Sequence, residues 1–342
     1  MSSTILVIGG AGYIGAHTCK ALWREGFKPV VFDDLSTGHR RFVRWGPFIK
    51  ANINNPQAVA SAIVQHRVSA VLHFAASACV GESVTEPEKY YLNNVAGTLS
   101  LLRGMREAGC DRLVFSSTCA VYGNARKVPI REDAPLAPVN PYGMSKAMNE
   151  QVLFDYRHAY GLKSICLRYF NASGADPDGD LGELRSPETH LIPRAMMALQ
   201  GHITDFAVFG SNFETEDGTA VRDYIHVSDL ADAHVAALRR LLEGHGGGIY
   251  NLGTGSGHSV RQILQKIEAV TGEHLPHVRG ARRRGDPPIL IADPSLARRE
   301  LGFNPLRSDL ETIIESSWAW HMRAHPRQRP KLFGQEARAQ SA

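Results

Sequence analysis

The chain has 342 residues, 43% of them hydrophobic and 21% charged, an ordinary globular balance with length for one large or two modest domains. The formal net charge is +4, too small a surplus over this length to favour nucleic acid or an anionic membrane surface as partner. No run of about 18 apolar residues is present, which argues against a membrane-spanning helix. The first residues enter a strand pattern at once, with no basic stretch and no small-residue cleavage site, so no secretory signal is expected.

Thr4–Ile8 is a short apolar run that ends in glycines. Tyr13–Glu25 has helical periodicity and stops at Gly26, and Lys28–Phe32 is a second strand ending at Asp33. The pattern then predicts helix over Pro56–His66, strand over Ser69–Phe74, one long helix over Pro87–Ala108 and strand over Arg112–Ser116. Pro141 opens a helix to about Tyr160, and Lys163–Tyr169 is a further strand. Continuous apolar strands separated by helices predict an α/β fold, a Rossmann-type doubly wound parallel sheet covered on both faces. After Asn171 the regularity falls: Asp176–Pro187 reads as loop, Asp229–Leu242 as helix, and Ile249–Gly253 as one more strand. This predicts a nucleotide-binding domain over residues 1–170, rejoined by about 223–253. A smaller C-terminal α/β lobe over 171–222 and 254–325 would hold substrate, and 326–342 reads as a disordered tail.

Gly9, Gly12 and Gly15 form a GxxGxxG loop between the first strand and first helix. Glycines there permit the tight turn and a close approach of backbone to a pyrophosphate, which the helix N-terminus then holds. Asp33 ends the next strand, where a carboxylate accepts from adenosine ribose hydroxyls and repels a 2′-phosphate, favouring NAD over NADP. Tyr142 and Lys146 stand at i, i+4 on one helix face. An ammonium beside a phenol favours phenolate, so Tyr142 is a candidate general base. Thr118, in Ser116-Ser117-Thr118, lies at the carboxyl end of a sheet strand, where open α/β sheets bind ligands.

Taken with GGAGYIG at Gly9, SSTCAVYG at Ser116, NPYGMSK at Asn140, LRYFNASGADP at Leu167, ETHLIP at Glu188 and EDGTAVRDYIHVSDLADAHV at Glu216, these features resemble the extended short-chain dehydrogenase/reductase family. The finer strings, which also include VGESV and NNVAGT, resemble its UDP-glucose 4-epimerase branch, from about Thr4 to His325. The resemblance implies NAD-dependent inversion of a UDP-sugar at C4 through a 4-keto intermediate, in a cytoplasmic homodimer. Tyr142, Lys146 and Thr118 would be catalytic. Cofactor contacts would fall on Gly9, Gly12, Tyr13, Ile14, Gly15, Asp33, Asp34, Asn52, Ile53, Phe74, Ala75, Ala76, Asn93 and Phe170, together with the three catalytic side chains. Substrate contacts would fall on Asn171, His190, Leu191, Ala207, Phe209, Arg222, Arg283, Asp286 and Leu290.

Four positions depart from the family pattern. Asn52 replaces an Asp at the adenine, Ala78 a Lys near the cofactor, His190 an Asn near the diphosphate, and Leu290 a Tyr that crowds the sugar C2 group. The last suggests room for a 2-acetamido sugar. UDP-xylose/UDP-arabinose epimerisation is the nearest alternative. A dehydratase would need acids where Cys119 and Ala120 stand, and a non-catalytic dinucleotide sensor would not need Thr118, Tyr142 and Lys146 together. Among 15 histidines and five cysteines no metal-ligand spacing is convincing, so no metal is expected; the odd cysteine count without CxxC points to a reduced protein free of disulfides.

Overall fold

A computed structural model describes residues 3–283 and 286–325. The expectation for 326–342 lies outside the described residues. In chain order the strands are β1 Thr4–Ile8, β2 Lys28–Asp33, β3 Phe48–Lys50, β4 Val68–His73, β5 Arg112–Thr118, β6 Lys163–Tyr169, β7 Asn171–Ser173, β8 Ala207–Phe209, β9 Val221–Arg222, β10 Tyr224–His226, β11 Gly248–Leu252, β12 His258–Ser259, β13 Val278–Gly280 and β14 Ile289–Leu290. The helices are α1 Tyr13–Arg24, α2 Pro56–His66, α3 Val80–Thr85, α4 Pro87–Tyr90, α5 Gly97–Glu107, α6 Pro141–Tyr160, α7 Leu191–Leu199, α8 Val227–Leu242, α9 Val260–Thr271, α10 Ser295–Leu301 and α11 Leu310–Ala324. None of these helices is long and apolar enough to cross a membrane.

Seven parallel strands form the central sheet in the order β11-β6-β5-β4-β1-β2-β3. The strands are apolar along their whole length because both faces are covered. In β1, Ile5 and Val7 pack with Leu22 of α1 and Leu238 of α8. Leu6 and Ile8, one residue out of phase, pack on the other face with Ile63 of α2 and Leu101 of α5. That alternation is the period-2 geometry of a strand. A separate core lies in the C-terminal lobe, where Met196 of α7, Ile263 and Ile267 of α9 and Ile313 of α11 meet Phe206 and Val208. The strand order reverses between β1 and β4, which opens a crevice at their carboxyl ends.

The expected long helix over Pro87–Ala108 is divided. A π-helical turn, Tyr91–Ala96, separates α4 from α5. The widened turn carries Asn94, whose amide donates to Ser77 O and to Ser145 Oγ, both at 3.0 Å. It thereby ties this helix to the loop after β4 and to α6. The short strand β3 was not expected; it extends the sheet beside β2 with only three residues.

Candidate active site

The β1–α1 turn is built to let backbone segments touch. Gly9 has φ +78°, and a Cβ there would lie 2.5 Å from Ala75 N, so the loops after β1 and β4 could not approach with any side chain present. Gly15 is equally constrained, since its Cβ would lie 2.2 Å from Gly9 O. Gly12 differs: a Cβ would meet nothing closer than 3.4 Å, so its face is open. Gly12 is also the N-cap of α1, with no side-chain cap and no acid in the first turn. The first-turn N–H groups at Tyr13 and Ile14 are thus available to an anion. Asp33, at the end of β2, accepts from Ala11 N at 3.0 Å and Leu35 N at 2.8 Å, and burial raises its carboxyl pKa. An open glycine cradle on a helix N-terminus, with a buried carboxylate at the adjoining strand end, fits a dinucleotide.

The other expected cofactor positions surround this crevice unevenly. Phe74 and Ala75 continue from β4, both donating their backbone N–H to Ile8 O, and lead into Ala76. Asn93 sits in the π-helical turn with its amide toward Ser77 Oγ. Ile53 is buried in the core beneath β2 and β4. Asn52 donates to Asp34 Oδ2 at 2.7 Å, while its own carbonyl accepts from Asn54 N at 2.9 Å. The acceptor expected for an adenine amino group therefore already serves the local turn. Tyr13 OH donates to Gly174 O at 2.6 Å and joins α1 to the chain after β7.

Pro141 at the first helical position and the Asn140 side chain, accepting from Gly143 N at 2.8 Å, start α6 at a fixed place. Tyr142 hydrogen-bonds Thr118, which stands at the end of β5 with its hydroxyl accepting from Ala120 N at 3.2 Å. Burial pushes the Tyr142 phenol up to about 12, and the Thr118 hydrogen bond opposes this. Lys146, one turn on, is 2% exposed and donates to Ser116 O at 2.7 Å with its ammonium over the Phe115 ring. Burial takes its pKa down to about 7, opposed by Glu150. The structure thus brings Thr118, Tyr142 and Lys146 together at the carboxyl end of the sheet. The nearest recorded contact of the lysine is a backbone carbonyl rather than the phenol.

The expected substrate positions form three groups. Phe170, Leu290 and Cys119 share one small apolar cluster beside Thr118, with β14 bringing Leu290 level with Arg222 of β9. Asn171 opens β7 and donates its N–H to Asp223 O at 2.9 Å. Arg222 pairs with Asp286, and Arg283 lies over the ring of Phe209, 4.1 Å from its centroid, on the strand that also carries Ala207. A guanidinium flanking an aromatic face suits a base and diphosphate. His190 caps α7 just before Leu191, and its Nδ1 meets Glu183 at 2.8 Å.

Three functional features lay outside the sequence reading. Glu183 and Arg185, in the loop taken only as a connection, form an ion pair at 2.9 Å and act electrostatically on Tyr13; Arg185 also acts on Tyr142. Beneath α6, Glu150 pairs with Arg168 of β6 in a fully buried contact. Asn94 braces the π-helical turn. Only charges in a Gly- and Pro-rich stretch hinted at the first. His73, expected as a core residue, is 2% exposed and bonds Thr98 Oγ1 at 3.0 Å.

Comparison with known proteins places this geometry. Residues 5–253 match the model of the NAD dependent epimerase/dehydratase family. The chain is 50% identical over 322 residues to a UDP-glucose 4-epimerase of Rhizobium leguminosarum bv. trifolii, covering 94% of this chain and 98% of that one. The crystal structure of a UDP-glucose 4-epimerase from Brucella ovis in complex with NAD superposes with a TM-score of 0.91 at 52% identity, over 93% of this chain and 98% of that chain. That of a UDP-glucose 4-epimerase from Stenotrophomonas maltophila, with bound NAD and formylated UDP-arabinopyranose, gives 0.91 at 39% identity, over 94% and 98%. The chain belongs to the NAD-dependent epimerase/dehydratase family.

Proposed function

We propose that the protein inverts C4 of UDP-sugars, interconverting UDP-galactose and UDP-glucose with NAD. The observation that carries this reading is the hydrogen-bonded Thr118–Tyr142 pair at the end of β5, on the sheet edge that also carries the open glycine cradle. Tyr142 as phenolate removes the proton of the sugar 4-hydroxyl, and Thr118 holds the same oxygen. Bound NAD accepts the C4 hydrogen as hydride and returns it. The 4-keto sugar turns about its bond to the diphosphate, so the returning hydride meets the opposite face while Tyr142 gives its proton back. Lys146 supplies positive charge under the reacting centre and reaches the nicotinamide ribose. Arg222, Arg283 and Phe209 hold the UDP moiety, so the sugar can turn while its anchor stays fixed.

We further infer a cytoplasmic homodimer. Leu92 and Leu99 around α5, with Met144, Met148 and Phe154 of α6, present a line of exposed apolar side chains; Leu92 and Phe154 are each 57% exposed. A second copy covering these helices would bury them. All five cysteines are free and four are buried, as suits a reducing compartment.

The test is incubation of protein purified without added cofactor with UDP-galactose, followed by chromatographic separation. UDP-glucose formed without added NAD, and abolished by Tyr142→Phe, supports the reading. No product with NAD supplied overturns it for hexoses and directs the assay to UDP-xylose and UDP-N-acetylglucosamine. Leu290, in the apolar cluster beside Thr118, favours the second of these.

A further inference from the structure

We propose that Arg185 is a positioning residue of the reaction, the fixed cation that the loop between β7 and α7 presents to the Tyr142 hydroxyl to keep its phenolate available. The proposal rests on the reading of Tyr142 as the general base.

The loop holds Arg185 in place at several points. Glu183, 4% exposed at its side chain, receives Arg185 Nε at 2.9 Å and His190 Nδ1 at 2.8 Å on the same oxygen. Its peptide oxygen accepts from Trp320 Nε1 of α11 at 3.0 Å. The next peptide oxygen, Leu184 O, accepts from His39 Nε2 at 3.0 Å. Gly182 passes so close under Trp320 that a Cβ would lie 2.3 Å from the indole. Glu188 turns its carboxylate onto the backbone N–H of Thr189 and His190, which closes the loop into α7. Arg185 itself is 29% exposed at its side chain, so it lines the cleft rather than solvent.

The groups facing Tyr142 can be named from each neighbouring element. Thr118 and Cys119 come from the end of β5, Tyr169 from β6, and Tyr90 from α4 with its ring edge-on at 6.5 Å. Lys146 shares its helix but gives its proton to Ser116 O. Arg185 is the cation acting on Tyr142, and burial and its carboxylate neighbours keep its guanidinium charged. It acts on Tyr13 as well, which places it between the glycine loop and the catalytic helix. Of the two cations, burial weakens the lysine's hold on its proton, whereas an arginine cannot give its proton up. An invariant charge is therefore supplied by the loop, and Glu183 fixes its direction.

The test is the pH profile of kcat with UDP-galactose for wild type, Arg185→Gln and Arg185→Lys. It is paired with tyrosinate ultraviolet absorbance during pH titration, each trace read against Tyr142→Phe. A cation within a few ångströms shifts a partner's titration by about one to three units. Arg185→Gln should raise the acid limb of kcat by at least about one unit, an activity loss of about tenfold on that limb. The Tyr142-specific absorbance change should move with it, and Arg185→Lys should restore both. Glu183→Gln should move both in the opposite direction, a sign that general damage to the fold would not produce. An Arg185→Gln enzyme slowed equally at every pH, with the absorbance change unmoved, overturns the proposal. Wild-type protein without turnover of any UDP-sugar would instead overturn the reading of the reaction, and the absorbance titration would still decide on Arg185.

Discussion

Replacing Glu150 by Gln tests what holds the catalytic helix to the sheet. Glu150 and Arg168 are 5% and 3% exposed at their side chains. Arg168 Nε reaches both carboxylate oxygens, at 2.9 and 3.2 Å, and Ser117 Oγ donates to the same carboxylate. The remaining Arg168 donors go to Tyr122 OH at 2.8 Å and Glu132 O at 3.1 Å. Gln keeps the shape and one acceptor but leaves a buried guanidinium without its counter-charge, a change that costs about 3–5 kcal/mol. Because one acceptor survives, we expect about 3 kcal/mol, hence a fall in Tm of roughly 6–12 °C. Glu150 also favours the charged form of Lys146, so the alkaline loss of kcat should shift to lower pH in the variant. The assay is calorimetric melting of wild type, Glu150→Gln, Arg168→Met and the double variant. The double variant should recover part of the stability, since neither charge is then stranded. A Glu150→Gln protein melting within about 2 °C of wild type, or a double variant worse than the two singles combined, refutes the reasoning.

Three further outcomes are expected. Lys20 donates to Asp176, Asp178 and Asp180 at 2.6, 2.7 and 3.0 Å and so ties α1 to the loop that carries Arg185; Lys20→Met should speed protease cleavage between residues 176 and 190, and an unchanged digestion rate rejects that role. The Lys20 pKa is raised and those of Asp178 and Asp180 lowered, so the tie should weaken as pH falls through the carboxylate range and again above the usual lysine value of about 10.4. Burial lowers His17 and His73 to about 3, and His226, His234 and His321 to about 4. The unfolded chain therefore binds more protons below its histidine pKa of about 6.5, and stability falls with pH by up to about 7 kcal/mol per unit if all five stay neutral; a Tm that is flat from pH 7 to 5 would contradict this. Leu290→Tyr should lower kcat/KM for UDP-N-acetylglucosamine by at least about tenfold, the scale of a pocket filled by a few extra atoms, with a smaller effect on UDP-glucose; equal loss on both would mean that Leu290 does not face the sugar C2 group.

What the sequence shows and what it hides divide along the range of the forces involved. β1, β2 and the glycine turn were readable because each is decided within a few residues: apolar runs, a positive φ at Gly9, a strand-end acid at Asp33. Tyr142 and Lys146 were readable because i, i+4 spacing alone puts two side chains on one helix face. The helix over Pro87–Ala108 was only partly so. Its periodicity is helical throughout, but the π-helical turn at Tyr91–Ala96 is fixed by Asn94 bonding to Ser77 and Ser145, one from another loop and one from another helix. Arg185 was not readable at all, because nothing in its own loop marks it off from a solvated charge. Its meaning comes from Glu183 at 2.9 Å, from Trp320 of α11 and His39 after β2 fastening the same loop, and from a phenol on α6. Coulomb interaction depends on separation in space, and in a parallel fold with long crossovers that separation bears no relation to spacing along the chain. A charged residue in an irregular loop between two readable elements therefore acquires a role only once the fold closes, and for this chain the loop of 176–190 is where that happens.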